Sequence, residues 1–402
     1  MQNSLLVSPK LFNKNLILLI FCQGLFLVNN VTFIAINGLV GLMLAPKFWM
    51  ATLPAMGYVV GGALSTTLVA YVHKNKGRKA SFQIGLLVAV ISALICAYAA
   101  YSKNFWLLCF GTLVAGYYSA NGQLYRFVAA ELSANEFKEK AISWVLAGGI
   151  LGAIIGPNLT SWTQNYFSVR FLGGYLALCV AGMIGLILIR LIDFTSVNQE
   201  EVSLEVNRSI WEIMSQPVFV VSAICASLGY GVMNLLMSAS PLAMQTCGLP
   251  FENTVLALEF HVIGMFAPGF FTGSLIRRFG TLPIMGLGVL LNLVCIFIAT
   301  TSQDFVNFFF SLLLLGVGWN FLFTGGTTLA MKAYRPEEKD KTQGALNFIV
   351  FGIMAFSSFG SGALVTTRGW TWLNYSSIIP VLIAGASIFW LYVYGAKRGL
   401  KY

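Results

Sequence analysis

The chain has 402 residues, of which 57% are apolar and only 9% charged, with a mean hydropathy of +0.79. That balance excludes a soluble enzyme and describes a polytopic membrane protein. The net charge of +10 would suit nucleic acid if it were clustered, but it is dealt out between apolar runs, so no nucleic-acid partner is expected.

Twelve membrane spans are predicted in chain order, near 15–36, 48–72, 81–101, 105–130, 141–164, 169–192, 217–245, 253–276, 281–301, 305–332, 342–366 and 372–396. The first run is too long and lacks the small-residue cleavage site of a leader, so it reads as a retained span. Even-numbered connections carry the basic residues: His73–Lys79, Lys138 and Lys140, Arg208, Arg277–Arg278, and Arg335, Lys339 and Lys341. Odd-numbered connections hold only Lys47, Lys103, Arg170 and Arg368. The positive-inside bias then puts both termini in the cytoplasm of a bacterial inner-membrane protein. The seven cysteines (22, 96, 109, 179, 225, 247, 295) show neither a disulfide framework nor zinc spacing.

The polar stretch Asp193–Gln216, with Glu200, Glu201, Glu205 and Glu212, divides the spans six and six. The expected domains are residues 1–192, a cytoplasmic linker 193–216, and residues 217–402. Landmarks recur in both: Gly77-Arg78-Lys79 against Gly273–Gly280, and Glu136–Lys140 against Glu337–Lys341. Two parallel six-helix repeats are the design of major facilitator transporters, with a substrate site between the halves. The chain resembles that superfamily throughout. Gly273–Gly280 is similar to its Gly-x-Leu-x-Asp-Arg-x-Gly loop, although Arg277 stands where the acid is usual and Lys74 takes that place in the first half. Gly152-Ala-Ile-Ile-Gly156-Pro157 resembles its Gly-x-x-x-Gly-Pro motif, read here as a helix-packing device. The fold expected is all-α, twelve spans in two six-helix halves.

Two spacings suggest chemistry. Met233-x-x-x-Met237 and His261-x-x-x-Met265 each put two donors on one helix face. Counted outward from the turn near residue 249, Met237 matches His261 and Met233 matches Met265. In an antiparallel hairpin the outer rung would lie about 18 Å from the outer end, at 1.5 Å per residue. Thioether and imidazole donors suit Cu(I), and an ionisable residue inside a span is a functional candidate by default. Methionine as ordinary filler is the competing reading.

These four positions are similar to the signature of the CcoA-like copper importers, a major facilitator subfamily that supplies copper for cbb3-type cytochrome oxidase. Gln123–Glu131 and Ile142–Gly149 also resemble that group. The resemblance implies copper import with Met233, Met237, His261 and Met265 as metal ligands, and copper as substrate rather than cofactor. Cys225 and Cys247 are candidate accessory stations for the metal. Glu259 and Arg126, ionisable groups within spans, are candidates for coupling or for structural pairing. No nucleotide-binding or catalytic motif is present, so an enzyme is not expected. The protein is expected to be a monomer whose partners are copper and the lipid bilayer. The rival reading is a proton-coupled exporter of a drug, siderophore or small metabolite.

Overall fold

The computed structural model describes residues 13–133, 138–194 and 208–399. The landmark residues Glu136 and Phe137, and Glu200, Glu201 and Glu205 of the expected linker, lie outside them. Among the described residues the chain is helical, with short turns and no strand. Helix α1 (Lys14–Leu44) starts at Asn13, whose side chain accepts from the Leu16 N–H at 2.8 Å. A 3₁₀ turn at Phe48–Met50 leads into α2 (Leu53–Tyr101), with Pro54 in its first turn. This rod holds two predicted spans. They join at Gly77 with φ of +79°, a conformation that only glycine reaches without strain.

Helix α3 (Phe105–Gly122) is capped by Asn104 and continues, after a break at 123–124, into the short α4 (Tyr125–Glu131). Then come α5 (Lys138–Thr163), α6 (Leu172–Leu191), the five-residue α7 (Ile210–Met214) and α8 (Pro217–Thr246). The eighth predicted span is bent: α9 (Phe251–Phe266) and α10 (Gly269–Phe279) meet at 41° around Ala267-Pro268. Proline blocks the helical hydrogen bond there. Asn320 restores part of the lost bonding, giving its amide to the Met265 carbonyl and accepting from the Thr272 hydroxyl, both at 2.7 Å. Helices α11 (Thr281–Thr301), α12 (Phe305–Ala330) and α13 (Lys339–Arg398) complete the chain. Like α2, α13 contains two predicted spans and turns at a glycine, Gly369, with φ of +83°. Counting the arms of α2 and α13 separately, and α3–α4 and α9–α10 as one span each, the described residues supply twelve spans.

The packing repeats as the sequence landmarks do. Helix α1 lies along α5, and α8 along the first arm of α13; α2 lies along α3, and α9 along α12. Close approach needs glycine at both repeats. A Cβ at Gly152 would sit 2.5 Å from the Gly24 carbonyl oxygen, and one at Gly316 would sit 2.4 Å from that of His261. Gly152 therefore packs α5 on α1, as expected of the Gly-x-x-x-Gly-Pro motif.

At the basic end two ion pairs hold connections to helix ends. Arg78 pairs with Glu131 at the end of α4. The first repeat thus has an acid for its basic loop, but from α4 rather than from within the loop. Among the described residues Arg277 bonds the Ser274 hydroxyl, at 3.3 Å. The Arg208 guanidinium clasps Glu338, which the Arg335 N–H also bonds at 2.9 Å. The Arg208 hydrogen bonds, above all, hold the Glu338 carboxyl down to about 2.

Candidate functional site

The contacts joining α1–α6 to α8–α13 gather at one end of the bundle, near the charge-poor connections. The first arm of α13 meets α2, where the Thr52 hydroxyl donates to the Ser358 carbonyl at 2.7 Å and accepts from the Gly362 N–H at 2.9 Å. The hydroxyl fills the space a side chain would need: a Cβ at Gly362 would lie 2.2 Å from it. In the equivalent pairing of the repeats α5 meets α9, and the Asn158 amide donates to the Glu259 carboxylate at 3.2 Å. Two aromatic pairs, Trp49–Phe359 at 5.9 Å and Phe171–Phe251 at 5.4 Å, seal the same end.

Behind this seal lies a cavity of about 250 Å³ between the two helix sets. Its lining runs from Asn37, Ala55 and Ser358, just under the seal, to Thr66, Phe127 and Asn347 towards the basic end. The two walls differ in chemistry. From α1–α4 come the polar groups Gln23, Asn30, Asn37, Tyr58, Gln123 and Arg126. From α8, α9 and α12 come Tyr230, Met233, Met237, Met265, Phe266, Trp319 and Phe323. The Trp319 and Phe323 rings stack at 5.2 Å and 10°, and Tyr230 stands edge-on to both, 5.2 Å from each. Asn234 belongs to this wall too, but its amide nitrogen is engaged by Met354, Ser357 and Ser358.

Three of the four expected metal ligands, Met233, Met237 and Met265, line this cavity. The fourth, His261, is fully buried beside α12 and is not on the wall; its neighbour Val262 is. The reason is tertiary. Helix α9 packs along α12 and α5 rather than as a tight hairpin with α8, which turns the imidazole to the Leu312 carbonyl, 2.7 Å from Nδ1. A carbonyl only accepts, so Nδ1 carries the proton and Nε2 is left as a buried lone pair with no partner among the described residues.

The cysteines are not gathered into a relay. The Cys225 thiol faces Ala384 and Ser387 on the second arm of α13, and Cys247 bonds Gln303 at the sealed end. Glu259 takes part in the seal. Arg126 lies on the cavity wall with its Cζ 4.9 Å over the Phe127 ring. Neither the aromatic trio nor the amides of α1 were among the residues expected at the site. The amides do carry a signal: Gln23, Asn29, Asn30 and Asn37 are conspicuous polar residues within one apolar span.

Comparison with known proteins supports the same architecture. The chain is 34% identical over 375 residues to the riboflavin transporter RfnT of Brucella anthropi, covering 92% of this chain and 94% of that protein. It is 25% identical to the uncharacterized MFS-type transporter YddS of Bacillus subtilis, over 95% of this chain and 92% of that one. The fold is shared with the nucleoside transporter NupG (TM-score 0.68, 13% identity, 94% and 98% of the two chains). It is also shared with a D-xylose-proton symporter (TM-score 0.74, 13% identity, 93% and 96%). The profile of the Major Facilitator Superfamily matches residues 16–358 and again 253–401. A bundle of repeated six-span sets around a central cavity, together with these matches, makes the chain a multi-pass membrane transporter of the Major Facilitator Superfamily.

Proposed function

We propose that the protein takes up riboflavin, or a closely related planar heteroaromatic solute with polar edges, across the bacterial inner membrane. The observation that carries this reading is the division of the cavity: a stacked aromatic wall facing a wall of amides and one arginine. Such walls suit a flat ring that is apolar on its faces and hydrogen-bonding at its rim and side chain. The near full-length similarity to a riboflavin transporter supports the same solute class. Residues 1–192 and 217–402 act as the two halves, joined by the linker 193–216, and rock about the cavity to alternate access. With both termini cytoplasmic, as the charge pattern implies, the sealed end is periplasmic and the conformation described is inward-facing. The test is growth of a bacterial strain that neither makes nor imports riboflavin. Expression of this chain should restore growth at limiting external riboflavin; a membrane-inserted protein that fails to do so refutes the reading.

Copper import is the second reading. It is favoured by the three thioethers on the cavity wall and by the unpartnered Nε2 of His261, because a metal-binding imidazole commonly gives its other N–H to a carbonyl. Against it stands Arg126, the charged residue of the same cavity, whose fixed positive charge repels a cation. Accumulation of copper by cells expressing the chain, lost in the Met233→Leu, Met237→Leu, Met265→Leu triple variant, would restore copper as the leading cargo.

A further inference from the structure

A folded protein satisfies nearly all its buried polar atoms, and those left without a partner call for an explanation. Those on the cavity wall share one sign. Among the described residues, three that line the cavity keep a buried side-chain polar atom without a partner: Arg126 Nε, Trp319 Nε1 and Asn37 Nδ2. All three are hydrogen-bond donors. Off the cavity wall both signs occur: the oxygens of Asn29, Asn121, Asn292 and Asn374 accept, whereas the Tyr117 and Tyr125 hydroxyls can donate. For tryptophan and arginine the sign is chemical, since neither side chain has an acceptor to offer. Chance desolvation would scatter donors and acceptors alike around the cavity.

We propose that Arg126 and Trp319 form a donor pair that recognises an acceptor-rich edge of the transported ring. This rests on the flavin reading above and specifies which part of the molecule is read. The ring lies against the stacked Trp319–Phe323 wall, with Tyr230 at its edge, and its dione edge, a run of carbonyl oxygens and imine-type nitrogens, meets the donors of Arg126 and Trp319. The two residues come from opposite walls, α4 and α12, so a solute that satisfies both bridges the two helix sets. A cation or a donor-rich solute of the same size leaves both groups unmatched and is rejected, because an unmade buried hydrogen bond is costly.

The experiment is a titration of riboflavin into purified protein in detergent, following quenching of flavin fluorescence. The wild type is compared with Trp319→Phe, which keeps a stacking ring but loses the N–H, and with Arg126→Gln and Arg126→Lys. Trp319→Phe should weaken binding about tenfold, the ordinary worth of a hydrogen bond lost at a buried site. Arg126→Gln should weaken it further, and Arg126→Lys should recover part of the loss. A second arm uses riboflavin in which a ring carbonyl is replaced by thiocarbonyl, a poorer acceptor. The wild type should discriminate against it, and Trp319→Phe or Arg126→Gln should discriminate less. Riboflavin binding that both variants leave unchanged, in protein that stays monodisperse, overturns the donor-pair assignment and leaves the flavin reading standing. Failure of the wild type to bind riboflavin at all overturns both.

Discussion

The two walls of the cavity divide the work of recognition. The α1–α4 wall offers directional groups: amides, hydroxyls and the Arg126 charge. The α8–α12 wall offers mostly surface, three stacked or edge-on aromatics and three methionines, with the Trp319 N–H as its unpartnered donor. Directional groups discriminate because a mismatch leaves a buried polar atom unpaired, whereas apolar surface adds affinity with little discrimination. A transporter whose solute is gripped from both helix sets can hold it only while the sets are near, and releases it when they part.

The strongest way to break this division is to discharge the polar wall. Arg126→Gln should lower riboflavin uptake efficiency by about 10- to 150-fold, the cost of a charge-assisted hydrogen bond of about 1.5–3 kcal/mol; radiolabelled uptake in whole cells measures it. Stripping the aromatic wall should cost less. Tyr230→Ala should weaken flavin binding by about tenfold, from the lost edge contacts with Trp319 and Phe323 and with the solute, seen as reduced fluorescence quenching. A third change spares both walls and attacks the seal. Gly362→Val places a side chain where the Thr52 hydroxyl now sits. It should hold the sealed end open and raise labelling of a cysteine introduced at Ala55 by an impermeant reagent entering from the sealed end several-fold.

Replacing Met233, Met237 and Met265 together by leucine tests what the apolar wall contributes. Riboflavin uptake should change by no more than about threefold, because the volumes are similar; a collapse would mean that the sulfurs themselves matter. The smallest effect lies far from both walls, at the Arg208–Glu338 clasp. The Glu338 carboxyl is held down to about 2 from a usual 4.5, so its folded form favours the charged state. Its contribution to stability is in full force above pH 4.5 and fades as the pH falls from there towards 2. The melting-temperature gap between wild type and Glu338→Gln in detergent should therefore be constant near neutrality and narrow on acidification below pH 4.5.

Much of the architecture is legible in the order of the amino acids. Span existence, the twofold repeat of six spans and the breaks at Gly77, Gly369 and Pro268 follow from hydropathy and from backbone chemistry that only glycine or proline supplies. The site is legible in part. Met233, Met237 and Met265 do share the cavity, because residues four apart keep one helical face wherever the helix lies. His261 shares that face of α9 in sequence terms but lies against α12, because the inter-helix packing, not the spacing, sets which neighbour each edge of a broad face meets. Trp319 and Phe323 carry no distinguishing signal amid the aromatic residues of an apolar chain.

By itself the sequence determined that this is a membrane-embedded, two-times-six-span transporter, since apolar length and glycine or proline punctuation act locally along the chain. Only the tertiary structure decided which side chains meet. The cavity is assembled from helices hundreds of residues apart, and its opposing walls become a recognition site only when the helix axes, and so the direction of each face, are fixed by packing.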